Sequence, residues 1–260
     1  MRYISHADTD DHRQAFQTRD FMTLTRCYLG VAATFHQGPQ AMLVEMPTKG
    51  STIHPHFHDV DQFQIIVRGG GKLGSADAKP VCFHYADAYS PYGPIVAGDE
   101  GIAFYTLRLA CEGGYFPMPG SRHLIPGKPG RVLTGYFDPQ STVAAGQSTV
   151  NDIINQPDGV RVTDIRLGAN ARGNGIASTA GGQYYLVLGG SLIQAGLEYG
   201  ELAMVQNEAG GPAPAFAAGV NGAALLMLQF ALPSARPGSD LLLLAKRNPE
   251  YVKPEGLVDV

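Results

Sequence analysis

Charge is scarce in this 260-residue chain: 16% of its residues are charged, against 44% hydrophobic. A net charge of -4 and a pI near 6.0 argue against a basic groove for nucleic acid and against a cationic patch for an anionic membrane. No apolar run approaches the roughly 18 residues that cross a bilayer. Residues Met1 to Asp20 carry neither a basic segment followed by an apolar one nor an Arg-rich amphipathic pattern. No export or transit signal is evident there, and the cytoplasm is the expected compartment. Cysteine is almost missing too: Cys27, Cys82 and Cys111 are odd in number and widely spaced. That fits neither a disulfide framework nor a CxxC zinc site, so the thiols are expected to be reduced and packed.

Helix-period stretches are few. The 33 glycines and 18 prolines point instead to short strands joined by many turns, in one large domain or two small ones. Short helices are expected only at Asp11 to Asp20 and Val150 to Gln156. Ser239 to Lys246 reads equally as strand or helical turn.

Three of the eight histidines occupy alternate positions in His54-Pro55-His56-Phe57-His58, just before an apolar strand. In extended backbone they project to one side, neighbours about 7 Å apart. Imidazoles on one face invite a metal ion, and ligands from one strand leave coordination positions open. The plainer reading is a cluster of surface histidines.

A repeat underlies the chain. Gln62-Phe63-Gln64-Ile65-Ile66-Val67-Arg68-Gly69-Gly70 returns as Gln183-Tyr184-Tyr185-Leu186-Val187-Leu188-Gly189-Gly190, an offset of 121. Ala97 to Leu107 matches Ala218 to Leu228 at the same offset. The same all-β unit is thus expected twice. Residues 1–20 read as an extension, 21–111 as the first unit and 112–130 as a linker rich in Gly and Pro. The second unit is then 131–260, opening with a strand at Arg131 to Phe137.

The spacing Gly50, five residues, His56, one residue, His58, three residues, Gln62, six residues, Gly69 resembles the first motif of the cupin superfamily, which has glutamate where this chain has Gln62. Pro91-Tyr92-Gly93 resembles the second motif, except that its histidine is replaced by Val96. The resemblance implies an all-β bicupin of two tandem jelly-roll barrels, with His56 and His58 as metal ligands at the first barrel's mouth. Gln62 or His54 would complete the shell. The metal implied is a mononuclear divalent ion, iron first, with manganese, zinc or nickel as alternatives.

Gln62 cannot titrate, so an acid or base must come from elsewhere. Tyr89, Tyr92 and His84 flank the second motif, the two tyrosines being the catalytic candidates, though a tyrosine in a barrel is more often a packed ring. Asp59 and Asp61 are candidates to orient the imidazoles. Gly69, Gly70 and Gly71 read as a turn rather than a phosphate cradle. At the same offset the second unit has Ala177, Thr179 and Ala217, so it carries no ligands and serves as a structural partner. The function implied is a metal-dependent enzyme acting on a small, partly apolar molecule, with a non-haem dioxygenase foremost. The alternatives are a metal-dependent lyase or isomerase and a metal-free cupin that binds a ligand. Partners expected are the small-molecule substrate and, at most, a second copy of the chain.

Overall fold

The structure is a computed structural model describing residues 1–30, 38–110, 114–128 and 130–234, with the backbone of Leu257–Asp259. The strands in chain order are β1 (Arg2–Ile4), β2 (Arg13–Gln17), β3 (Met22–Leu29), β4 (Gln40–Met46), β5 (Thr52–Ile53), β6 (His56–Phe57), β7 (Gln62–Leu73), β8 (Ala76–Ala78), β9 (Cys82–Ala86) and β10 (Ile95–Arg108). They continue as β11 (Phe116–Pro117), β12 (Val132–Tyr136), β13 (Ser148–Asn155), β14 (Arg161–Leu167), β15 (Arg172–Asn174), β16 (Gln183–Gln194), β17 (Leu197–Tyr199), β18 (Met204–Asn207), β19 (Ala215–Gln229) and β20 (Leu257–Asp259). No α-helix forms among the described residues, so none is long and apolar enough to cross a membrane.

Two compact units result, and neither is a single stretch of chain. The N-terminal barrel contains Asp10–Tyr136, built on the sheet order β12-β9-β7-β10-β4-β3-β2-β20. The C-terminal barrel joins Met1–Thr9 to Phe137–Pro233, in the order β1-β18-β16-β19-β14-β13. The first strand of the chain therefore pairs with β18, and the last described strand pairs with β2.

The expected duplication reappears as strand register. Gln64 faces His84 on β9 and Thr106 on β10, and Thr106 faces Met42. In the second barrel Tyr185 faces Val205 and Met227, and Met227 faces Thr163. All four positions share the offset of 121. Even the β-bulge recurs, between Ala103 and Phe104 in one barrel and their counterparts Ala224 and Leu225 in the other.

Alternation along the strands assigns the faces. Val44, Met46, Ile66, Cys82, Ala86, Ile102 and Phe104 form one apolar cluster in the first barrel. Gln40, Met42, Gln62, Gln64, His84, Thr106 and Arg108 alternate onto that same interior face, toward the barrel's other end. The second barrel fills its interior with Ile165, Tyr185, Val187, Val205, Leu225 and Met227.

Three local expectations are corrected. Asp11 to Asp20 is not helical: β2 is held by β3, and the Thr18 hydroxyl accepts the N–H groups of Asp20 and Phe21 to make the hairpin turn. Val150 to Asn155 lies in β13, paired with β14, and Gln156 follows the strand. A bulge between Asp152 and Ile154 shifts the register, so that Val150 lies opposite Ile165 and Ile154 opposite Val162. The strand at 131–137 closes the first barrel instead of opening the second. There β12 pairs with β9, Gly135 lies against the Phe83 ring, and Asp87 accepts the Arg131 N–H at 3.0 Å. The segment from Ser239 to Lys246 lies outside the described residues.

Candidate functional site in the N-terminal barrel

The histidine run does not form one strand. β5 pairs with β10, whereas β6 pairs with β11, and Pro55, which has no N–H to give a ladder, separates them. His54 consequently leaves the group: its side chain is 57% exposed and Nε2 lies 3.2 Å from Asp20 Oδ2. His56 and His58 are buried with ring centroids 5.0 Å apart.

Backbone carbonyls set both tautomers. A carbonyl can only accept, so His56 Nδ1 donates to the His54 carbonyl at 2.7 Å and His58 Nδ1 to the Gly114 carbonyl at 2.9 Å. Each Nε2 then carries a lone pair. His56 and Tyr92 are backbone partners, with N···O distances of 3.1 and 3.0 Å, which carries the Tyr92 hydroxyl to His56 Nε2 at 2.8 Å. Tyr92 in turn accepts from Gln64 Nε2 at 3.4 Å. The chain of hydrogen bonds runs in one direction, from the Gln64 amide through Tyr92 and His56 to a main-chain oxygen.

The other sequence-derived residues are placed differently. Gln62 presents its amide oxygen to Arg108 Nε and Nη2, at 3.3 and 3.1 Å, rather than to the imidazoles. Tyr89 donates its N–H to the His58 carbonyl at 2.7 Å, while its ring lies 5.9 Å from that of Phe57, whose neighbours His56 and His58 alternate away from it. Asp61 turns its carboxylate to the Ala88 N–H and the Tyr85 hydroxyl. Val96 stands in the β5–β10 ladder opposite Thr52.

The linker supplies a contact that sequence reading missed. Tyr115 lays its ring 4.5 Å from that of His56, and Phe116 stacks on Phe57 at 5.0 Å. The aromatic pair beside a Pro was the available signal. Arg108 was missed as well. It is 3% exposed, donates to Gln62 and also reaches Gln40 Oε1 at 2.6 Å.

Among the described residues no group of three or more His, Cys, Asp or Glu could hold a metal ion. The donors that do converge are two imidazoles and the Tyr92 hydroxyl. Tautomers fixed by backbone acceptors fit the pattern of ligating histidines, so the chemistry suits an ion that takes its remaining ligands from solvent or substrate.

His84 lies deeper. Its Nδ1 is 3.5 Å from Thr134 Oγ1, and Nε2 is buried without a partner. Burial pushes its pKa down from 6.5 to about 4. An unfolded chain therefore takes up this proton below pH ~6.5, whereas the fold resists it until about 4. Stability from this group is complete above the upper value and is lost as pH falls through that interval. Between pH ~7 and ~4.5 the loss is expected to reach about 2–3 kcal/mol and to disappear in His84→Val. Urea unfolding at both pH values checks it, and equal losses in the two proteins would refute it.

No protein-family model matches the sequence, nor does any curated protein. Solved structures do match in fold. A candidate dioxygenase from Nostoc punctiforme superposes with a TM-score of 0.57 at 11% identity, over 91% of this chain and 85% of that one. Oxalate decarboxylase from Bacillus subtilis gives 0.57 at 10% identity, over 100% of this chain and 89% of its own. Vicilin from hazelnut, Corylus avellana, gives 0.52 at 12% identity, over 86% and 85%. The two barrels together have the bicupin fold.

Proposed function

We propose that the N-terminal barrel holds a divalent metal on His56 and His58 and acts on a small, partly apolar organic molecule, with dioxygenation as the specific chemistry. One observation carries this reading: both Nδ1 atoms are committed to backbone carbonyls, so two Nε2 lone pairs sit on neighbouring buried rings. Bound there, a divalent ion supplies a Lewis acid and, as iron or manganese, a one-electron redox couple.

The chain's own residues do the rest. Tyr92 Oη holds the mobile proton between the Gln64 amide and His56 Nε2. With a metal on His56 Nε2, the Tyr92 phenol would be left to hydrogen-bond the bound molecule and to give or receive a proton. The Tyr115 ring narrows the approach to His56 and limits access by water. Support from fold relatives is general: one is a candidate dioxygenase, and the Bacillus subtilis decarboxylase carries Mn(II) centres.

Protein purified without a histidine tag is expected to contain close to one equivalent of metal. His56→Ala with His58→Ala should reduce this at least ~10-fold, since losing such ligands removes most of the coordination energy. Elemental analysis after growth with iron, manganese, zinc and nickel decides the matter. Absence of metal in all four would favour the second reading, a metal-free ligand-binding cupin, for which the Tyr92 hydroxyl on His56 Nε2 is the supporting observation.

A further inference from the structure

Three buried polar atoms on the interior face of the N-terminal barrel have no hydrogen-bond partner: Gln62 Nε2, Gln64 Oε1 and His84 Nε2. Their residues are 1%, 3% and 4% exposed. Gln64 and His84 are cross-strand neighbours, and Gln62 precedes Gln64 on the same face. Buried polar atoms without partners are uncommon in folded proteins and costly, about 1–3 kcal/mol each.

The orientation of both amides is dictated. Arg108 offers only donors, so the Gln62 oxygen must face it and the NH2 group must face away. A guanidinium on the carbonyl also polarises that NH2 into a stronger donor. Tyr92 spends its proton on His56, so it accepts from the Gln64 NH2 group and leaves the Gln64 oxygen as an acceptor. The layer thus holds one unpaired donor and one unpaired acceptor on successive residues of one face, with an unpaired imidazole nitrogen on the cross-strand neighbour. The space beyond Gln64, toward Ile66, Ile95 and Phe104, is apolar and leaves no room for a water molecule.

The second barrel provides an internal comparison. Its equivalent glutamine, Gln183, is saturated: the oxygen takes Asn207 Nδ2 at 3.1 Å and the NH2 group donates to Gln229 Oε1 at 2.9 Å and to the Ala177 carbonyl at 3.3 Å. Gln64 and His84 are replaced there by Tyr185 and Val205, within an apolar core. The same fold can therefore close this layer without polar groups left over, and only the histidine-bearing barrel leaves them open.

We propose that Gln62, Gln64 and His84 form a hydroxyl-recognition floor, and that the barrel's ligand is a small organic molecule whose hydroxyl donates to Gln64 Oε1 and accepts from Gln62 Nε2. His84 Nε2 lines the same floor and excludes a purely apolar group. The proposal rests on the reading that a small molecule enters this barrel. It adds the class of molecule, since a site built to bond a hydroxyl rejects the analogue lacking one.

The test uses the full-length protein with three probe pairs: lactate and propionate, 1,2-propanediol and 1-propanol, and benzyl alcohol and toluene. Calorimetric titration is expected to show at least one hydroxylated probe binding ~10-fold or more tightly than its partner. His84→Val, which copies the second barrel, should abolish that preference while metal content stays unchanged, and Gln64→Met, which preserves volume, should abolish it as well. Circular dichroism confirms that at least one of the two is folded. No preference in any pair, including no binding at all, overturns the floor, as does a preference that persists in a folded variant. Loss of metal with the preference intact counts instead against the metal reading alone.

Discussion

Replacing Arg108 with methionine is expected to lower the stability of the N-terminal barrel by about 3–5 kcal/mol. The guanidinium donates to Gln62 Oε1 through two nitrogens and to Gln40 Oε1 through a third. Methionine fills much of the space but offers no donor, so two buried amide oxygens lose their partner at about 1–3 kcal/mol each. The second barrel suggests the rescue. The position equivalent to Arg108 is Gln229, which accepts from Gln183 at 2.9 Å, so Arg108→Gln should cost only about 1–2 kcal/mol. The chain has no tryptophan, which makes urea titration followed by circular dichroism the suitable measurement. With two compact units, separate transitions have to be resolved before a free energy is assigned to either. A loss below about 1 kcal/mol for Arg108→Met would show that the barrel does not depend on this clasp.

Gly69→Ala and Gly190→Ala are expected to be at least as damaging, about 3 kcal/mol or more apiece. Both residues have positive φ, 63° and 66°. A Cβ would lie 2.3 Å from the Gly101 carbonyl oxygen in the first case and 2.1 Å from that of Gly222 in the second. These obstacles are main-chain atoms of the adjacent strand, which cannot swing aside as a side chain does. Gly50 provides the contrast, because its φ is 75° but nothing lies within 4 Å of an added Cβ. Gly50→Ala should cost only the left-handed backbone penalty, about 1–2 kcal/mol. Equal melting temperatures for all three variants would rule out the steric account.

What could be read from sequence was what depends on neighbours along the chain. The shared offset of Gln62 with Gln183, and of Ala97 with Ala218, anticipated a duplication that the strand registers reproduce residue for residue. Burial of His56 and His58 beside Tyr92 followed the motif spacing. Contacts made across the barrel left no such trace. Gln62 is bound by Arg108, 46 positions away, and His58 is oriented by the carbonyl of Gly114, 56 positions away. A backbone carbonyl has no residue type to recognise. His54 was grouped with its neighbours because alternation holds only while a strand continues, and Pro55 ends it.

The exchanged termini have a consequence for the order in which the molecule can be completed. β1 and its partner β18 lie some two hundred residues apart along the chain. β2 and its outer neighbour β20 are separated by a similar length of chain. Nascent chains usually finish one domain before the next emerges. Here each half waits for a strand made on the far side of the other half, so deleting β1 or β20 acts on the edge of the half more distant in sequence.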